Sequence, residues 1–182
     1  MRLFIALDLP VDVRTALSVW AARAAPPEVR RVPVDNLHVT LAFLGARSGD
    51  ESAAAAALLP ALARPLGEIR TAGALWLPPR RPGVLSVGLE CGDTLAALHA
   101  ELVAALAASI GFQAERRRFR PHVTVGRVAR GTRIDTRHAL DPPAPQLRFQ
   151  ARTLTLYRSR TSPQGARYER LSGVELDRRG DV

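Results

Sequence analysis

Asn36-Leu37-His38-Val39-Thr40-Leu41-Ala42-Phe43-Leu44-Gly45 reads as a β-strand ended by glycine, and its centre occurs twice. His-Val-Thr returns at His122-Val123-Thr124, inside a second strand over 121–129 (PHVTVGRVA). In a strand, residues i and i+2 share a face. His38 and Thr40 therefore point one way, and Val39 and Leu41 the other. His122 and Thr124 oppose Val123 and Val125 in the same manner. Each strand offers an imidazole and a hydroxyl on one face and an apolar face to a core. Four histidines and ten threonines in 182 residues would give about 0.2 His-x-Thr tripeptides at random. Either copy alone reads as an ordinary half-buried sheet histidine; the matched pair reads as a site. Two half-domains with one such strand each account for the repeat.

Outward from these strands, residues 2–9 read as a buried strand and 11–25 as an amphipathic helix stopped by Pro26-Pro27. Residues 49–64, opened by Asp50-Glu51, read as a second helix. Residues 67–77 and 83–90 read as strands joined by a Pro/Arg/Gly turn. Residues 93–110 are the clearest helix, capped by Asp93 and closed by Gly111. Residues 130–146 read as a short helix followed by a Pro-rich loop. Residues 147–158 and 166–176 read as a hairpin around Ser162-Pro163-Gln164-Gly165. This order predicts an α+β fold with mostly antiparallel strands. The predicted domain is single, residues 1–182, made of two interleaved half-domain lobes.

A length of 182 residues and 47% hydrophobic content suit one globular core. No uncharged apolar run has the length of a membrane span. Asp8 and Asp12 interrupt the apolar start, which reads as the first strand of a cytoplasmic, non-membrane protein and not as a signal peptide. The lone Cys91 leaves no internal disulfide framework and no multi-cysteine metal site. The net charge is +9, and all 26 basic residues are arginine. Such an excess favours nucleic acid as a partner. Coding bias in a chain rich in Ala, Pro and Gly explains it equally well. The missing lysine excludes a Walker-type phosphate site, a Schiff-base enzyme and a nucleotidyl-lysine ligase. No Gly-x-Gly-x-x-Gly or Gly-x-Ser-x-Gly is present.

Two imidazoles facing one another suit acid–base chemistry. A neutral one takes a proton from a nucleophile while a protonated one gives a proton to a leaving oxygen. Hydroxyls and backbone N–H groups can hold the nonbridging oxygens of a phosphoester. A metal site would need further ligands, and His99 and His138 lack ligand spacing. The first reads as a structural or exposed helix residue, the second as a surface loop residue. Arg127 follows His122 by five positions, so strict alternation turns it away from the site; a bulge or strand end, which Gly126 permits, would bring it back. Arg116-Arg117-Arg118-Phe119-Arg120 leads into the second motif, and reads as an RNA-backbone groove or as a solvated face.

The chain resembles the 2H phosphoesterase superfamily, named for two His-x-Thr-x (HxTx) motifs. Within it, the chain is similar to the bacterial and archaeal RNA 2',3'-cyclic phosphodiesterases, also called 2'-5' RNA ligases. MRLFIALDLP (1–10), NLHVTLAFLG (36–45), FRPHVTVGR (119–127) and LYRSRTSPQGARYE (156–169) carry the likeness in the family's order. The resemblance implies a bilobal 2H phosphoesterase fold. Two mainly antiparallel sheets are related by a pseudo-twofold, with helices outside and a central cleft. It implies a hydrolase of RNA processing that opens 2',3'-cyclic phosphate termini to 2'-phosphates without metal or cofactor. Some relatives also perform ATP-independent 2'-5' ligation. It makes His38 the proton donor, His122 the proton acceptor, and Thr40, Thr124 and Arg127 the phosphate-binding residues. From the residues alone, either imidazole could be the acid. Phe43, Tyr157, Arg118 and Arg120 are candidate base or RNA contacts, with a core role as the other reading of the two aromatics. The expected partner is RNA, either tRNA halves or oligonucleotides with cyclic phosphate ends, bound by a monomer. Two other readings are a non-catalytic RNA-end-binding protein and a 2H enzyme acting on a small cyclic nucleotide.

Overall fold

Leu3 to Leu7 are all buried, so the first strand lies inside the sheet and not at its edge. The computed structural model describes residues 1–115, 117–136, 140–162 and 165–176. Arg116, His138, Pro163 and Gln164 lie outside the described residues. The elements are β1 (Arg2–Asp8), α1 (Val11–Ala24), β2 (Val29–Arg31), β3 (His38–Ala46), α2 (Gly49–Leu58), β4 (Ile69–Leu77), β5 (Val84–Cys91), α3 (Asp93–Ile110), β6 (His122–Val128), β7 (Arg148–Phe149), β8 (Thr153–Ser162) and β9 (Gly165–Glu175). Short 3-10 turns at Val34–Asn36 and Pro60–Leu62 complete the order.

The strands form one curled antiparallel sheet in the order β7-β4-β5-β6-β3-β1-β8-β9, with β2 paired to β6. Its two halves meet at one residue pair, Val39 opposite Val123, the central residues of the two motifs. Both valines are fully buried, and each such burial contributes about 1.5–3 kcal/mol. The expected sheets therefore join edge to edge at the motif strands. The chain crosses between halves, since β1, β3, β8 and β9 build one and β4 to β7 the other.

On α3, Leu95, Leu98, Leu102 and Leu106 fall at helical spacing and are all fully buried. By length and composition α3, with a mean hydropathy of 1.4, would also pass as a short membrane span; here its leucine stripe belongs to the core. Val13, Leu17, Trp20, Ala21 and Ala24 are the buried face of α1. The Trp20 indole N–H donates to the Pro142 carbonyl at 2.9 Å and pins the 140s loop to that helix.

Several expected elements differ in detail. The N-cap of α3 is Gly92, not Asp93, which sits in the first turn where its charge complements the helix dipole. Gly111 closes the helix at φ +63° as expected. The helix expected over 49–64 ends at Leu58, because Pro60 cannot continue its hydrogen bonding. Its start is a capping box between Ser48 and Glu51. The described residues of 130–146 contain turns and bends but no helix. The strand expected over 147–158 is two strands, β7 against β4 and β8 against β1, so the chain changes sheet halves between them.

Candidate active site

The two motif strands match beyond their shared tripeptide. From His38 and from His122, exposure runs half-buried, buried, half-buried, buried, buried, exposed. Register explains the break in alternation. Across β1 and β3, Ala6 pairs with Thr40 and Ile5 with Ala42, which leaves Leu41 as an extra residue. Across β5 and β6, Ser86 pairs with Thr124 and Leu85 with Gly126, which leaves Val125 as an extra residue. A one-residue bulge thus follows each motif threonine and turns the residue three positions on back to the motif face. Those residues are Phe43 and Arg127.

Gly126 suits this bulge because a side chain there would be crowded. It lies between β2 and β5, and a Cβ there would come within 2.3 Å of Val29 Cγ1. The bulge that a glycine at this position permits is present, and Arg127 lies in the cleft with His122.

That cleft has a volume of about 770 Å³. His38, Thr40 and Phe43 line one side; His122, Thr124 and Arg127 line the other. Arg117, Arg118 and Arg120 form part of its wall. Tyr157 does not line it. This ring stacks on Phe4 at 5.2 Å, and its hydroxyl donates to Asp8 Oδ1 at 2.7 Å, beside a smaller recess on the other side of His38. Tyr168, absent from the expected set, borders both spaces and meets the His38 ring edge-on at 5.4 Å. Its contribution depends on the pairing of β8 with β9, which shifts register between Leu156 and Tyr157. Simple alternation from the sequence could not have placed it.

The two imidazoles are held alike. His38 Nδ1 lies 2.8 Å from the Asn36 carbonyl, and His122 Nδ1 lies 2.8 Å from the Arg120 carbonyl. A carbonyl only accepts, so each Nδ1 carries a hydrogen and donates. Nε2 is then the nitrogen that gains or loses a proton in both. His38 Nε2 meets the Thr40 hydroxyl at 2.9 Å. Thr40 donates to that nitrogen when the ring is neutral and accepts from it when the ring is charged. On the other side, the hydroxyls of Thr124 and the buried Ser86 lie 3.5 Å apart.

His38 stacks on Phe4 at 4.9 Å, and enclosure lowers its proton affinity below the usual imidazole value. The Asn36 carbonyl and then the Asp8 carboxylate oppose that effect, while Arg127 and His122 add to it. His38, His122 and Arg127 line the same cleft.

His99 is half-buried on α3 and faces the cleft. Its ring stacks on Phe119 at 3.9 Å and 9°. Among the described residues, no group of three or more His, Cys, Asp and Glu could hold a metal ion.

Comparisons with known proteins bear on the family and the fold. Residues 9–163 match the family model described as the 2'-5' RNA ligase superfamily. The RNA 2',3'-cyclic phosphodiesterase of Escherichia coli (strain K12) is 30% identical over 178 residues, covering 92% of each chain. The solved structure of TT0787 from Thermus thermophilus superposes with a TM-score of 0.82 at 30% identity, covering all of both chains. E. coli LigT complexed with 3'-AMP gives a TM-score of 0.80 at 31% identity, covering 97% of this chain and 98% of that one.

Proposed function

The chain belongs to the 2'-5' RNA ligase superfamily, and from that premise we propose that it hydrolyses RNA 2',3'-cyclic phosphate termini to 2'-phosphates. The observation that carries this reading is the paired imidazoles, both tied at Nδ1 and lining one cleft with two threonines and an arginine. A neutral His122 accepts a proton from water at Nε2 as the water oxygen bonds to phosphorus. The bond from phosphorus to O3' breaks, and a protonated His38 delivers its Nε2 hydrogen to that oxygen. Thr40, Thr124 and Arg127 hold the nonbridging oxygens and stabilise the added charge of the transition state. The anionic substrate itself favours the charged form of His38, which enclosure, with Arg127 and His122, disfavours in the free chain.

The same groups serve ligation. A 5'-hydroxyl replaces water, gives its proton to His122, and forms a 2'-5' linkage as O3' leaves. No lysine adenylate is needed, in a chain that has no lysine. Phe43, 63% exposed in the cleft, offers a face on which the terminal base stacks. Arg118 and Arg120, with Arg117, place positive charge along the wall for an RNA backbone from a tRNA half or another oligonucleotide. The protein acts as a monomer in this scheme, without metal.

The test is single replacement of each histidine. His38→Ala and His122→Ala should each lower kcat about 10²- to 10⁴-fold while the fold is kept. Activity near that of the unaltered chain in either variant would end the two-histidine reading.

A further inference from the structure

We propose that Asp8 is a positioning residue for the reaction, whose carboxylate, opposite His38 across the β1–β3 pair, favours the imidazolium there and so helps His38 hold the proton that it delivers. This rests on the two-histidine reading above and adds what distinguishes one imidazole from the other.

The pseudo-symmetry of the sheet isolates the difference. In register, Asp8 lies opposite His38 and Gly88 lies opposite His122. The two histidines match in strand, bulge and Nδ1 partner, but only His38 has an acidic residue in that position. Asp8 is fixed there from the neighbouring strand. The Thr155 hydroxyl donates to Oδ2 and the Tyr157 hydroxyl to Oδ1, each at 2.7 Å. Thr155 is fully buried, and the phenol of Tyr157 is held well above its usual range by burial and by Asp8, so it remains a donor. Two hydroxyl donors orient the carboxylate without neutralising it. Asp8 and His38 border the same small recess, about 230 Å³ in volume.

Other charged and titratable groups surround His38. Arg14 of α1 and Asp35 of the following turn border the recess and lie 3.6 Å apart, so they largely offset one another. Arg127 and His122 of β6 oppose charge on His38. Tyr157 and Tyr168 complete the surroundings from β8 and β9. Among the described residues, Asp8 is the carboxylate that acts on His38 in favour of its charge.

The experiment follows the imidazole signals of His38 and His122 by NMR titration of the full chain, beside kcat and KM on a 2',3'-cyclic mononucleotide. In Asp8→Asn the His38 midpoint should move to lower pH while that of His122 stays. At pH 7.5 kcat should fall about three- to tenfold, with KM changed less than twofold. Asp8→Glu should restore the His38 midpoint toward that of the unaltered chain. Tyr157→Phe keeps the carboxylate and should leave His38 titrating near its original pH, which separates charge from packing. An unmoved His38 midpoint in Asp8→Asn, or an equal movement at His122, overturns the proposal. If Asp8→Asn does not fold, failure of Asp8→Glu to preserve the His38 midpoint overturns it as well. These titrations do not depend on turnover, so they stand apart from the activity tests of His38→Ala and His122→Ala.

Discussion

Phe43 and Arg127 are structural counterparts. Each lies three residues beyond a motif threonine, after a one-residue bulge, and each faces the cleft. The histidines and threonines repeat as like with like; this third pair places an aromatic ring opposite a guanidinium. The site therefore has a direction that its repeated motifs alone would not give it.

The two counterparts should fail differently. Phe43→Ala removes a stacking face worth about 1–3 kcal/mol, so KM should rise roughly 5- to 150-fold with kcat nearly unchanged. Arg127→Ala removes a cation aimed at transition-state charge, so kcat should fall about 10²- to 10³-fold. Steady-state kinetics on a 2',3'-cyclic nucleotide separates the two effects.

Gly126 sets the position of Arg127 through packing. A Cβ at this position meets Val29 Cγ1 at 2.3 Å, so the buried Val29 side chain or the strand that carries it must shift. Gly126→Ala should cost about 1–3 kcal/mol in urea unfolding and should reduce kcat as the bulge shifts. Gly45→Ala is the contrast. Its cost is confined to backbone strain at φ +73°, since no neighbour crowds the added carbon.

Acid should destabilise the fold through two histidines. Burial is the first cause that lowers the proton affinity of both His38 and His99. In the unfolded chain they take up protons near the ordinary value of 6.5. Below that pH the unfolded state binds more protons than the folded state, so stability falls as pH falls toward the folded-state values. Above it this contribution is constant. The melting temperature should decline from pH 7 to 5.5, and His99→Gln should make that decline shallower. An identical slope in His99→Gln would contradict the sign or the site.

Much of this site is legible in the sequence. Period-two alternation places His38 with Thr40 and His122 with Thr124, and the valines between them mark the core face. Gly126 gives the clue to the bulge that admits Arg127. The first bulge carries no comparable glycine, since Leu41 and Ala42 occupy it. Other features depend on distant pairings. Val29-Arg30-Arg31 becomes β2 only because β6 offers an edge, and it has no alternation of its own. The strand expected over 147–158 breaks because β4 and β1 each recruit a different part of it. Tyr157 and Tyr168 lie near one another along the chain, yet the hairpin register sends one to Asp8 and the other to the cleft. Asp8 reads as a polar strand end until β3 is laid beside it.

The most direct measurement is product analysis on an oligonucleotide ending in a 2',3'-cyclic phosphate, incubated with the full chain in EDTA. The two-histidine site predicts turnover without added metal and a terminus that carries a 2'-phosphate. No turnover, a 3'-phosphate product, or activity that appears only when a divalent metal is restored would contradict it.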